Sequence, residues 1–190
     1  MSGPEIITII SVTVEAIGII KTVWDAIKDA NGLPAAFRKV HDELPLVEDT
    51  LERAKNKAEG GLDSSSAGLV LDTVTKCRDK VQELKGIFQK IKASKDSERS
   101  VKRLYHDIVI PLGKGHRVEE LMQDILGDVK NLAANQVFQL AAQVDVLQRA
   151  IDELAEVEPS VPDRKLQSGQ GSHYNVNEGS GTFNALTAYG

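Results

Sequence analysis

Aromatic side chains make up only 4% of this 190-residue chain, so a hydrophobic core here has to be mainly aliphatic. Cysteine occurs once, at Cys77, which excludes a disulfide framework and fits an intracellular compartment. Positive charge is outnumbered. The 28 acidic residues against 23 basic ones give a net charge of −5, which argues against a nucleic-acid binder that works by bulk electrostatics. No Lys or Arg precedes the first apolar run, so the basic leader expected of a cleaved secretory signal is missing.

Catalytic constellations are also scarce. Leu112-Gly113-Lys114-Gly115 has the look of a phosphate loop, but Ile108 stands where the first Gly is needed and Gly115 where Ser or Thr is needed, so a hinge between helices is expected. His116 shares a helix side with Glu119 and Glu120, an arrangement that suits capping and the helix dipole as well as a metal. His41 beside Asp42 and Glu43 reads as a solvated face, and His106 beside Asp107 has no nucleophile near it in sequence. These observations assign no catalytic residue, no metal and no cofactor, and the expected function is non-enzymatic.

What the chain does have is a long apolar stretch at residues 5–30, EIITIISVTVEAIGIIKTVWDAIKDA. Ile6, Ile7, Ile9, Ile10, Val12, Val14, Ile17, Ile19 and Ile20 surround the helix axis rather than keeping to one stripe, and Glu15 is the only charge among them. A helix that is apolar all round belongs inside a domain or in lipid. A permanent span needs about 20 apolar residues, and Glu15, Lys21, Asp25 and Lys28 interrupt the stretch before that length is secure. The spacing predicts one helix from Pro4 to the stop at Asn31-Gly32, roughly 39 Å long.

Spacings of 3 and 4 then predict further helices. The second runs through Phe37, Val40, Leu44, Val47 and Leu51 to Gly60-Gly61, with Pro45 expected to bend or divide it. The third carries Leu69, Val70, Val74, Cys77, Val81, Leu84, Ile87, Phe88 and Ile91 on one face, with Cys77 as a small buried hydrophobe. The fourth runs from Val101 to Pro111. The fifth is long, His116 to Val157, with Asn131 or Asn135 able to break it and a heptad-like seam from Val137 to Leu154 suited to self-association. Pro159 and Pro162 are expected to end the fold. The architecture is an all-α antiparallel bundle over residues 1–157 with a buried hydrophobic N-terminal helix, followed by a disordered tail, 158–190, rich in Gly, Ser and Asn.

The tail holds a more specific signal in residues 172–190, SHYNVNEGSGTFNALTAYG, whose only charge is Glu178. Tyr174 and Val176 alternate with Asn175 and Asn177, and Phe183 and Asn184 follow a turn at Gly179-Ser180-Gly181. Short, β-prone, nearly uncharged segments of this kind stack as cross-β, with Asn ladders adding hydrogen bonds; the alternative is a linker.

Two blocks carry a family resemblance. GIIKTVWDAIKDANGLPAAFRKVHDELPLVEDTLERAK and, later, LYHDIVIPLGKGHRVEELMQDILGDVKNLAANQVF resemble the fungal SesA module, the N-terminal domain of NACHT NTPases, over about residues 5–157. SesA is similar to HeLo-like helical domains and, in role, to the four-helix domain of mixed-lineage kinase-like cell-death proteins. The resemblance implies an effector of programmed cell death or heterokaryon incompatibility. Such a protein is stored in the cytoplasm as a soluble bundle, then self-associates and moves to the plasma membrane, where it meets lipid through its N-terminal helix. Here that helix corresponds to Ile6–Ile20. A C-terminal prion-like motif, here Tyr174 to Asn184, would receive an amyloid template from a NACHT or STAND receptor. The tail departs from such motifs in having few Gln residues and one copy. With no NACHT segment in these residues, the implied role is effector rather than receptor. The alternative is a helical adaptor in NACHT/STAND signalling. A synthetic peptide of residues 172–190 is expected to bind thioflavin T and to diffract at the strand spacing of about 4.7 Å; a peptide that stays monomeric identifies the tail as a linker.

Overall fold

A computed structural model describes residues 3–62, 64–96 and 100–168. The self-assembly residues Tyr174, Asn175, Val176, Asn177, Gly179, Gly181, Phe183 and Asn184 lie outside the described residues, as does most of the segment read as tail. The described part holds no strand. It consists of seven α-helices, α1 (Gly3–Ile27), α2 (Ala35–Glu59), α3 (Ser64–Ser94), α4 (Val101–Val109), α5 (Val118–Ala134), α6 (Ala141–Ala155) and α7 (Asp163–Ser168), with a 3₁₀ turn at Lys114–His116.

Four long helices, α1, α2, α3 and α5, enclose the core. The main neighbours of α1 are α2 and α3, and those of α5 are α2, α3 and α6, so α1 and α5 sit across from each other. Trp24 stacks on His41 with ring centroids 5.0 Å apart and Lys21 reaches Glu48 at 2.6 Å, which makes α1 and α2 antiparallel. Lys80 pairs with Asp128 at 2.8 Å and His116 pairs with Glu83, which makes α3 and α5 antiparallel. Consecutive long helices therefore reverse direction, as expected, while the spatial neighbours α1 and α3 run the same way: Lys95, just past α3, donates to the carbonyl of Ala26 near the end of α1.

The core is mostly aliphatic, with one small aromatic group. Phe37 of α2 meets Phe88 of α3 at 5.0 Å and Tyr105 of α4 edge-on at 4.9 Å. Cys77 is buried, and burial pushes its thiol up to about 12, with the nearby Asp128 charge acting in the same direction, so it packs as an unreactive hydrophobe.

Several expected boundaries shift. The α-helical hydrogen bonds of α1 give way after Ile27, and turns carry the chain to Gly32, whose φ of +82° suits glycine. Pro45 does not divide α2: it lies on the exposed face, while Leu44 and Val47 on either side are fully buried and hold the helix together. Leu69 is 66% exposed, because the inward line of α3 runs through Val70, Val74, Cys77 and Val81. The long fifth helix is two helices. Asn135 ends α5, its side-chain oxygen accepting from the Val137 N–H at 3.1 Å, and Phe138 plugs the turn with no exposure at all. The 137–154 seam is used internally in part: Leu147, Ala150 and Leu154 are buried and α6 packs on α5 and α2, while Val137, Leu140, Val144 and Ile151 are half-buried. The packed chain also continues past Val157 and both prolines. Ser160 and Val161 are buried, and α7 follows.

Ile17 is fully buried at the centre of α1. Ile17→Ala is expected to cost about 2–5 kcal/mol, read from the midpoint of urea unfolding with an unchanged slope.

Candidate functional site

The apolar residues of α1 divide into three sets. Ile6, Ile9, Ile10, Ile17 and Ile20 point into the core; Ile7, Val14 and Ile19 are half-buried at its flanks; Val12 is 40% exposed and Glu15 is exposed beside it on the outer side. Only 39% of the residues in the most apolar 18-residue window of α1 are buried. The helix is thus seated on the bundle by one side, not enclosed by it. Among the described residues it is the one helix long and apolar enough to cross a membrane. A core helix passes that test too. The apolar residues do not surround the axis completely: Thr8, Ser11, Glu15, Gly18 and Thr22 form a narrow outward stripe, with Val12, Ile7 and Ile19 at its margins.

Its polar groups are arranged to match. Thr8 donates to the carbonyl of Pro4 at 2.8 Å, Ser11 to Ile7 at 2.8 Å, Thr13 to Ile9 at 2.8 Å and Thr22 to Gly18 at 3.0 Å. Each hydroxyl is satisfied by its own helix four residues back. Between residues 6 and 20, Glu15 is the sole charge, and it forms no ion pair with any described residue. Alongside, Gly18, Ile19, Thr22 and Val23 of α1 face Gln89, Lys92 and Ala93 of α3 across an open groove of about 840 Å³.

Residues 10–132 match a family described as SesA, the N-terminal domain on NACHT NTPases and P-loop NTPases. The chain belongs to the SesA family. No curated protein and no solved structure matches it. The matched region covers α1 from Ile10 onward through most of α5. In this SesA chain, α6 and everything after it lie beyond the match.

That later part carries a buried polar cluster which sequence reasoning missed. Residues 157–168 form a strap across α4 and the start of α5, and Ser160 is its peg. The Val118 N–H donates to the Tyr105 hydroxyl at 3.0 Å; Tyr105 lies 2.7 Å from the Ser160 hydroxyl; Ser160 donates to Glu119 from its hydroxyl at 2.6 Å and from its N–H at 2.9 Å. Since the carboxylate only accepts, Tyr105 is the donor to Ser160, and every proton in the chain has a place. Burial pushes the Tyr105 phenol well above its ordinary value, which keeps it a donor. Arg117, only 2% exposed, pairs with Asp163 of the strap and approaches Glu120 at 3.9 Å, while its Nε has no partner. The Arg117 hydrogen bond, aided by its charge, holds the Asp163 carboxyl below its ordinary value.

The strap also explains the fate of the candidate metal face. Glu119 turns to Ser160, Glu120 to Lys114 at 3.8 Å, and His116 to Glu83 instead. Among the described residues, no three His, Cys, Asp or Glu side chains converge as metal ligands. The sequence signal for the strap is Val161, an apolar residue between two prolines and next to a serine, in a region otherwise read as tail.

Ser160→Ala removes a buried hydroxyl and strands lone pairs on Glu119 and the Tyr105 proton. It is expected to cost about 1–3 kcal/mol in urea unfolding, with faster amide exchange in residues 157–168 than in α3.

Proposed function

We propose that this SesA chain is a signalling effector of the cell-death or incompatibility type, which self-associates on activation and acts on the plasma membrane through α1. The observation that carries this reading is the make-up of α1: nine Ile and Val side chains between Ile6 and Ile20 with a single charge, and every hydroxyl bonded to its own backbone. Transfer of such a helix from core to lipid exchanges one apolar surrounding for another and breaks no side-chain hydrogen bond between its hydroxyls and the other helices. Glu15 would then face a neighbouring copy or a water-filled lumen rather than lipid. The family's place on NACHT NTPases makes a NACHT protein the natural upstream partner, and the Tyr174–Asn184 segment is the part of this sequence suited to receive its signal by strand stacking.

A second reading has one observation of its own. The groove between α1 and α3 is open and largely apolar, which suits a partner helix and an adaptor role. Flotation with liposomes separates the two, because an adaptor stays in the soluble fraction.

Membrane action is tested on the outward side of α1. Ile10→Asp and Ile17→Asp put a carboxylate at fully buried positions and unfold the bundle, so their loss of activity says nothing about lipid. Val12→Asp is tolerated by the folded chain, since Val12 is 40% exposed. In a membrane-centred helix an Asp costs about 2.5–3.5 kcal/mol, on the order of 100-fold. Dye leakage from anionic vesicles is expected to fall by about that factor in Val12→Asp and in Ile19→Asp. Leakage at the wild-type level in a folded Val12→Asp protein rules out insertion of α1.

A further inference from the structure

His106 of α4 is the buried titratable group that the reading above leaves unused. It is 6% exposed and sits under the strap. Its Nε2 lies 3.3 Å from the carbonyl oxygen of Ser160, which can only accept, so Nε2 carries the proton. Its Nδ1 lies 3.3 Å from the Lys165 ammonium, which can only donate, so Nδ1 is bare. The strap therefore closes on a neutral imidazole of one tautomer, clamped from both sides by residues 160 and 165.

We propose that the strap is an acid-sensitive latch: protonation of His106 detaches residues 157–168 from α4 and α5. A proton on Nδ1 replaces an accepted hydrogen bond with two cations face to face. The charged groups around His106 are Lys165 from the strap, Lys102 and Asp107 from α4, and, through Ser160, Glu119 from α5. Burial is the main force keeping the ring neutral. Lys165 and Lys102 add to it, while the Ser160 carbonyl and Asp107 oppose them, and the balance lowers the proton affinity of His106 below its ordinary 6.5. The latched state thus binds the proton more weakly than the open state. Its advantage is complete above about 6.5 and declines as pH falls below that value. The Arg117–Asp163 pair does not respond in this window, because Asp163 is held below its ordinary 3.8.

Detachment has a consequence for α1. Glu158, Pro159 and Ser160 line a cleft of about 270 Å³ together with Lys102 and with Gly32, Leu33, Pro34 and Ala35, the turn that joins α1 to α2. An open strap leaves that joint uncovered. The link from the joint to membrane action rests on the function proposed above, whereas the latch itself does not.

Hydrogen exchange of the full chain at about pH 7.5 and about pH 5.5, corrected for intrinsic rates, tests the latch. Uptake of one proton on opening gives at most about ten-fold more opening per pH unit below about 6.5. A several-fold rise confined to residues 157–168 is expected, with α3 unchanged. His106→Gln keeps an amide donor for the Ser160 carbonyl and carries no charge, so it abolishes the rise. Lys165→Met, at an exposed position, removes the facing ammonium and shrinks the rise. The proposal fails if strap exchange is the same at both pH values or if His106→Gln retains the rise. Should His106→Gln not fold, it fails if Lys165→Met retains the rise in full.

Discussion

A helix with isoleucine and valine over most of its circumference cannot stand alone in water, and the placement of α1 follows from that. Burying one such side chain stabilises the folded chain by about 1.5–3 kcal/mol, and Ile6, Ile10, Ile17, Ile20 and Ile27 are each buried completely. Two neighbours, however, can cover only part of a cylinder. With α2 and α3 as its supports, α1 keeps Val12 in water and Ile7, Val14 and Ile19 half covered. Thr8, Ser11 and Thr22 lie on this side and Thr13 in the core, and each hydroxyl is bonded to its own turn. The stored helix and the lipid-facing helix of the proposed function thus require no different internal bonding.

The opposite principle holds the C-terminal strap. Beyond the buried Val161 and the flanking Val157 and Leu166, it depends on polar geometry: Ser160 bridges Tyr105 and Glu119, and Asp163 meets a buried guanidinium. Such a cluster is favourable only when complete, since each missing member strands a buried charge or donor on the bundle. That makes the strap an all-or-none attachment, and His106 within it is a natural point of control.

Much of the fold was legible because apolar periodicity over long segments is a redundant signal. The inward line of α3 from Val70 to Ile91 and the fully buried Val40, Leu44, Val47 and Leu51 of α2 follow directly from spacings of 3 and 4. Local competition was harder to read. Pro45 suggested a break, but exposure made its defect cheap. The Val137–Leu154 spacing looked like a free seam because spacing does not say whether the partner is another chain or α5 and α2. Phe138 went unnoticed as a core residue since it lies off the helical line, in the turn it stabilises. The strap was the largest omission. Two prolines and a polar composition announce the end of helical packing, yet a polar segment can be pinned by hydrogen bonds whose partners, Tyr105, Arg117 and Glu119, lie some forty to fifty-five residues earlier in the chain. Pairwise chemistry at that separation leaves no periodic trace.

The order of the helices around the core has a topological corollary. Among the described residues, α1 joins the other long helices through the turn at Gly32–Pro34. Since α5 bridges α2 and α3 directly, subtracting α1 leaves a connected trio rather than two loose halves. If α1 leaves as the proposed function requires, the helices that remain are still one connected body, and the side of α2 and α3 that α1 covered becomes an apolar trough.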